Sequence, residues 1–172
     1  KFDIHKAQWF NQQYLRAKPN EVLAAYLLDS LSKENISCTT EKAVKIVSIM
    51  RERVTFPKDF WEQGRFLFHS PTTFDETVVA KKWNDDAVKV LTAFKDELAH
   101  LPAFDAVSAM ASLEKVTGDL GIATGKILQA LRLSITGAGT GPDLMMVMEM
   151  VGKEEVIKRI DYALKTLRVK VA

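Results

Sequence analysis

The chain has 172 residues, and its 24 lysine and arginine side chains nearly balance its 22 aspartate and glutamate side chains. That length suffices for one sizeable domain or two small ones, and a content of 47% hydrophobic and 27% charged residues excludes a disordered or fibrous chain. No apolar run is long enough for a transmembrane helix, the single cysteine excludes an intrachain disulfide, and the net charge of +2 excludes a polybasic, nonspecific nucleic-acid binder.

Helical periodicity dominates the first half of the chain. Between Glu21 and Leu31, apolar residues recur at steps of three and four, which predicts a helix with one apolar face. Asn20 precedes this run and is predicted to be its N-cap. A second helix is predicted to open at Thr40 and to end near residues 54–56, because Pro57 restricts the residue before it.

The second half of the chain is also predicted to be helical. One helix begins at Asn84 with acidic residues at its positive end and closes at residues 101–102. Pro142 suits a first helical turn and Gly152 suits a C-terminal cap. No run alternates with period two, so we predict an all-α protein. The remaining predicted helices span Asp105 to Lys115, Thr124 to Thr136, Pro142 to Val151 and Lys153 to Leu167.

A turn-rich stretch at residues 69–73 is the best internal boundary. It predicts two consecutive helical subdomains, residues 1–70 and residues 71–172. The first carries 11 basic and 8 acidic side chains, and the second carries 13 and 14. The small basic excess of the first subdomain hints at where a polyanion would lie.

Catalytic and metal-binding signatures are missing from the sequence. The three histidines are far apart, and Cys38 has no neighbour in sequence that would activate a thiolate. The run at residues 121–126 lacks the spacing of a phosphate loop, and the glycines at residues 137–141 do not follow a strand. These glycines predict either a simple loop or backbone amides that receive a phosphate or a base edge. We expect no catalytic residue, metal ion or cofactor in this chain.

Three stretches share their order and spacing with one known family. Residues 6–15 fit the pattern K-x-x-W-x-N-x-x-Y, residues 49–68 form the second stretch, and residues 131–144 with 152–155 fit L-R-x-x-x-T-G, G-P-x-L and G-K-E. Together they resemble the C-terminal, anticodon-binding half of the bacterial glutamyl-tRNA synthetases, which are class I enzymes. The resemblance covers essentially the whole chain.

The resemblance implies a partner and a larger enzyme. The two ATP-binding signatures of the family's catalytic half are absent, and the chain starts at Lys1, so we expect the later part of a longer glutamate–tRNA ligase. ATP and Mg would bind the catalytic domain of that parent protein. The resemblance implies that the helical subdomains bind the anticodon stem-loop of tRNA(Glu). It also implies a cytoplasmic protein. We expect a monomer whose partners are this tRNA and its own catalytic domain, without binding to DNA or membranes.

Arg53 falls on the family position whose arginine reads the third anticodon nucleotide, which is cytosine in glutamate tRNA. The Watson–Crick edge of cytosine offers the acceptors O2 and N3, and a guanidinium has only donors; guanine presents N1–H and N2–H instead. The resemblance therefore implies an enzyme specific for glutamate tRNA rather than glutamine tRNA. From the residues alone, an arginine at a helix end also serves to neutralise the helix dipole.

Arg132 matches the arginine of the L-R-x-x-x-T-G segment, which the family places near the second and third anticodon bases. Leu144 would support a base that is splayed out of the loop. The other residues implied at this pocket are Thr136, Gly137, Gly141 and Pro142. Weaker candidates for phosphate contacts are Lys42, Lys45 and Arg51. The alternative is that these side chains simply lie on the solvated surface of a helix.

Two sets of large side chains are expected mainly in the core. At helical spacing, the aromatic side chains favour core packing over stacking platforms for bases, and the methionine cluster favours adaptable core packing. These residues are Trp9, Tyr14, Trp61 and Phe66, and Met145, Met146, Met148 and Met150.

The rival function is a helical adaptor that binds protein and shares only the architecture. The near-neutral charge and the methionine-rich helix after Pro142 favour it. A free-standing hydrolase or transferase is the least favoured function, because the sequence shows no pair of a nucleophile and a base.

Overall fold

The computed structural model describes residues 1–170, which form ten α-helices and no β-strand. The predicted all-α class is therefore confirmed. The chain divides into two compact units, Lys1–Arg65 and Phe66 onward. The turn-rich stretch at residues 69–73 lies at the start of the second unit, and residues 171–172 of the predicted second subdomain lie outside the described residues.

The first unit is built around a pair of helices. Leu23, Leu27 and Leu31 of α2 are fully buried, as are Ile46 and Val47 of α3. Their spacing gives each helix one apolar face, and the two helices pack against each other. The helices of this unit are α1 (Ile4–Arg16), α2 (Asn20–Lys33), α3 (Thr40–Met50) and α4 (Asp59–Glu62), with a 3₁₀ turn at Arg51–Arg53 between α3 and α4.

The predicted N-cap at Asn20 was wrong. Pro19, in extended conformation, occupies the N-cap position, and Asn20 is the first helical residue of α2. The Asn20 side chain instead accepts a hydrogen bond of 2.7 Å from Arg51 Nη1. The predicted start of α3 was correct, because Thr39 caps it by accepting from the Lys42 amide.

The second unit packs α10 against α6 and α8, with α7 beside α6 and α9. The predicted helix start at Asn84, which is the N-cap of α6, and the predicted C-terminal cap at Gly152 are confirmed. Helix α9 begins at Leu144 rather than Pro142, because the Asp143 side chain caps it by accepting from the Met146 amide. The helices are α5 (Glu76–Lys82), which was not predicted, α6 (Asp85–Ala99), α7 (Ala106–Leu120), α8 (Leu128–Thr136), α9 (Leu144–Val151) and α10 (Lys153–Thr166).

A buried arginine joins three segments of the second unit. Arg159 is 3% exposed, and its Nη1 donates to the carbonyls of Phe66 at 2.6 Å and Ile135 at 2.8 Å. Its Nε donates to the Glu155 carboxylate at 3.0 Å, and Ser70 donates to the same carboxylate. The hydrogen bond from Ser70, and then that from Arg159, lower the pKa of Glu155. The end of α8 is thereby fixed to α10.

Two of the four aromatic side chains that were expected in the core are exposed. Trp9 is 54% and Tyr14 is 60% exposed, because α1 buries only Leu15, so only one edge of the helix packs. Trp61 is buried as predicted, and Phe66 is half-buried.

The methionine cluster is divided between buried and half-buried positions. Met145 and Met148 are buried, whereas Met146 and Met150 are half-buried.

No helix of the described part is long and apolar enough to cross a lipid bilayer.

Candidate RNA-binding site

Arg53 lies at the end of the 3₁₀ turn that follows α3. The next residue, Val54, is extended and fully buried, which fixes the direction in which the chain leaves the turn. The Arg53 side chain is exposed, and within residues 1–170 no hydrogen bond or ion pair engages its guanidinium. Its donors are therefore available to a ligand in solution.

Arg51, at the start of the same turn, points into the first unit instead. Its Nη1 donates to the Asn20 side chain, and its Nη2 donates to the carbonyls of Arg16 and Lys18, the latter at 3.0 Å. These bonds join the turn to the connection between α1 and α2. The phosphate contact predicted for Arg51 is untested, but the structure weighs against it, because both terminal nitrogens of Arg51 are engaged internally.

Lys42 and Lys45 lie on α3. Lys45 forms an exposed ion pair of 3.8 Å with Glu41, one turn earlier, and such pairs contribute little to stability. Lys42 is half-buried near the start of the helix. The phosphate contacts of both lysines stay predictions.

In the second unit, Arg132 and Leu144 line one cavity of about 400 Å³. Arg132 Nη1 donates to the Pro142 carbonyl at 2.7 Å, which holds the guanidinium of α8 against the loop that leads to α9. Met110, Leu128 and Met145 supply apolar walls. A cationic group on an apolar wall suits a planar, polar-edged ligand such as a nucleobase.

Gln129 also lines this cavity and was missed by sequence reasoning. Its Nε2 donates to the Gly139 carbonyl at 3.2 Å. Gln129 lies three residues before Arg132 on α8, so helical spacing places both side chains on one face. That spacing is the signal that would have identified it.

The other four residues predicted at this site shape the backbone and do not line the cavity. Thr136 donates its hydroxyl to the Arg132 carbonyl at 3.0 Å, and Gly137 ends α8 with φ +80°. A Cβ at Gly137 would lie 2.6 Å from the Thr73 carbonyl oxygen, so only glycine fits there. Pro142 is buried, and a Cβ at Gly141 would lie 2.9 Å from Arg132 Nη1.

The side chains that could ligate a metal ion are scattered in the described part of the chain. No group of three His, Cys, Asp or Glu side chains in residues 1–170 is arranged to hold a metal ion. Burial raises the pKa of the Cys38 thiol, and the nearby Lys42 opposes that shift only in part. A raised pKa lowers the fraction of reactive thiolate.

A family comparison covers both regions. The model of the anticodon binding domain matches residues 13–164, a span that includes the Arg53 turn and the cavity around Arg132. The chain belongs to the anticodon-binding domain family. The resemblance predicted from the three sequence motifs is confirmed.

Relatives of this anticodon-binding domain carry one name. It is 47% identical over 172 residues to the glutamate–tRNA ligase of Cytophaga hutchinsonii, covering 99% of this chain, and 41% identical over 167 residues to that of Amoebophilus asiaticus, covering 97%. A crystal structure of a glutamate tRNA ligase from Elizabethkingia meningosepticum, in complex with its amino acid, covers 97% of the chain at 38% identity with a TM-score of 0.90. The chain spans about a third, 33%, of the length of each of these three proteins.

Proposed function

We propose that this chain is the anticodon-reading part of a glutamate–tRNA ligase that acts in the cytoplasm. It binds the anticodon stem-loop of glutamate tRNA, while ATP and Mg serve a catalytic domain outside these 172 residues. The observation that carries the proposal is the match of residues 13–164 to the anticodon binding domain. The specificity for glutamate tRNA is supported by the relatives, which are glutamate–tRNA ligases.

Two local features support RNA reading. Arg53 presents a donor-only guanidinium, which complements the acceptors on the Watson–Crick edge of cytosine. Arg132 lies in a cavity with apolar walls, where Leu144 and Met145 can pack against the face of an unstacked base. Proteins recognise single-stranded RNA loops by this combination of stacking and edge hydrogen bonds.

The adaptor alternative is not favoured. An adaptor of the kind considered above would present the methionines of α9 as an exposed apolar surface. Met145 and Met148 are instead buried, and the neighbouring cavity contains a guanidinium.

We expect the isolated chain to bind an anticodon stem-loop of glutamate tRNA more tightly when the third anticodon base is cytosine than when it is guanine. Fluorescence anisotropy with both RNAs at several salt concentrations measures this. The logarithm of the association constant should fall linearly with the logarithm of salt concentration, because phosphate contacts release counterions. Equal affinity for both loops and for an unrelated hairpin would contradict the proposed function.

We expect Gly141→Ala to weaken stem-loop binding about tenfold, which corresponds to about 1.4 kcal/mol. The new Cβ would lie 2.9 Å from Arg132 Nη1, and the flexible end of that side chain moves more easily than the backbone. The thermal midpoint should therefore change little.

The matched control for this variant is Gly118→Ala. Gly118 is exposed on α7 and does not line this cavity, and its added Cβ would meet no atom within 4 Å. If Gly141→Ala binds the stem-loop as tightly as the wild-type protein does, the placement of Arg132 does not contribute to binding.

A further inference from the structure

The turn that presents Arg53 is held on its upstream side by two arginines. Arg51 bonds to the Asn20 side chain and to two carbonyls at the connection between α1 and α2. Arg16, from the end of α1, forms an ion pair of 2.8 Å with Glu52 and donates from Nη2 to the Glu52 carbonyl at 3.1 Å. Both residues that precede Arg53 in the turn are therefore tied to neighbouring helices.

On its downstream side the same turn is held by one buried carboxylate. Asp59 is 8% exposed, and its Oδ2 accepts from the amides of Thr55 at 3.0 Å and Phe56 at 2.9 Å. Gln12 adds a bond of 3.3 Å to the Thr55 hydroxyl. The backbone is thus fixed on both sides of a residue whose own side chain is exposed.

We propose that Arg51 and Asp59 are positioning residues for base recognition: they touch no RNA, and they set the selectivity of Arg53 by holding its backbone in one geometry. This inference rests on the proposed function, in which Arg53 reads the third anticodon base. A guanidinium distinguishes cytosine from guanine only if its fork meets the base edge in plane. A fixed backbone reduces the conformational freedom that is lost when that geometry forms.

The arrangement of donors distinguishes this role from a phosphate contact. The two terminal nitrogens of Arg51 reach three acceptors at the connection between α1 and α2, which uses the planar fork of a guanidinium. A lysine keeps the charge but offers a single point of attachment. Arg51→Lys therefore removes the positioning and would preserve an electrostatic contact with phosphate.

The test compares wild type, Arg51→Lys and Arg53→Gln with the cytosine and guanine stem-loops, at several salt concentrations. We expect Arg51→Lys to reduce the affinity ratio for the two loops at least threefold, with an unchanged salt slope. Arg65→Lys is the matched control, because Arg65 is an exposed arginine of the same unit and lies over the Trp61 ring. It should leave the ratio unchanged.

A phosphate contact gives the opposite pattern. Arg51→Lys would then keep the affinity ratio, while Arg51→Gln would lower the salt slope by about 0.7, the value for one phosphate of a single strand. That result overturns the positioning role and leaves the proposed function intact. If the wild-type protein shows no preference for the cytosine stem-loop, both the positioning role and the proposed function are contradicted.

Asp59→Asn provides a second variant that is independent of Arg51. It keeps the size of the side chain and one carbonyl oxygen but removes the charge that strengthens both amide bonds. We expect a reduced affinity ratio together with a cooperative unfolding transition. A wild-type ratio in both Asp59→Asn and Arg51→Lys would overturn the inference.

Discussion

Arg53→Gln should abolish the preference for cytosine over guanine at the third anticodon position. An amide carries both donors and an acceptor, so it can pair with either base edge, whereas a guanidinium opposes the N1–H and N2–H of guanine with further donors. A contact of this kind discriminates by about 1–3 kcal/mol, so we expect the affinity ratio to fall by about 5-fold to 150-fold. Because Arg53 is exposed at a turn, the fold should be unaffected.

The measurement is the ratio of dissociation constants for the two stem-loops, with unfolding curves as a check on stability. Arg53→Lys is an informative partner, because it keeps the charge while losing the planar fork. It should retain the salt dependence and lose most of the base preference. An unaltered ratio in Arg53→Gln would remove Arg53 from the base-reading role.

Arg159→Ala should destabilise the second unit by about 2–5 kcal/mol, because each acceptor that loses its buried charged donor costs about 1–3 kcal/mol. The change leaves the carbonyls of Phe66 and Ile135 without their donor and leaves Glu155 without its charge partner. Burial lowers the pKa of the Arg159 guanidinium, while Glu155 opposes that shift. The buried charge therefore depends on its partners.

Urea denaturation followed by circular dichroism measures this effect. Lys158→Ala is the matched control, since Lys158 is the exposed neighbour on α10 and should change the free energy of unfolding by less than about 0.5 kcal/mol. A loss below about 1 kcal/mol for Arg159→Ala would mean that water replaces the guanidinium at both carbonyls.

Features that depend on residues close in sequence were predicted well. The helix starts at Asn84 and Thr40 and the helix end at Gly152 follow from local capping chemistry, and the structure has each of them. Asn20 shows the limit of this reasoning. It has the right residue type for a cap, but the guanidinium of Arg51, 31 residues away, competes for its side chain.

The same limit applies to the candidate site. Motif spacing singled out Arg132 and Leu144, and the structure brings both to one cavity. Motif spacing could not reveal the role of Asp59, because this first residue of α4 accepts from the amides of Thr55 and Phe56, which precede the helix, and that arrangement has no sequence signature. The sequence pattern also could not reveal that Trp9 and Tyr14 are exposed, because helical spacing does not show which face of a helix packs against another element.

The exposure of α1 gives the protein a natural optical probe. Of its three tryptophans, Trp61 and Trp83 are 6% and 2% exposed, whereas Trp9 is 54% exposed. In the folded chain, a neutral quencher such as acrylamide should therefore act mainly on the emission of Trp9. Anything that covers α1 should shift that emission to shorter wavelength and protect it from quenching, so contacts of this helix can be followed without attaching a label.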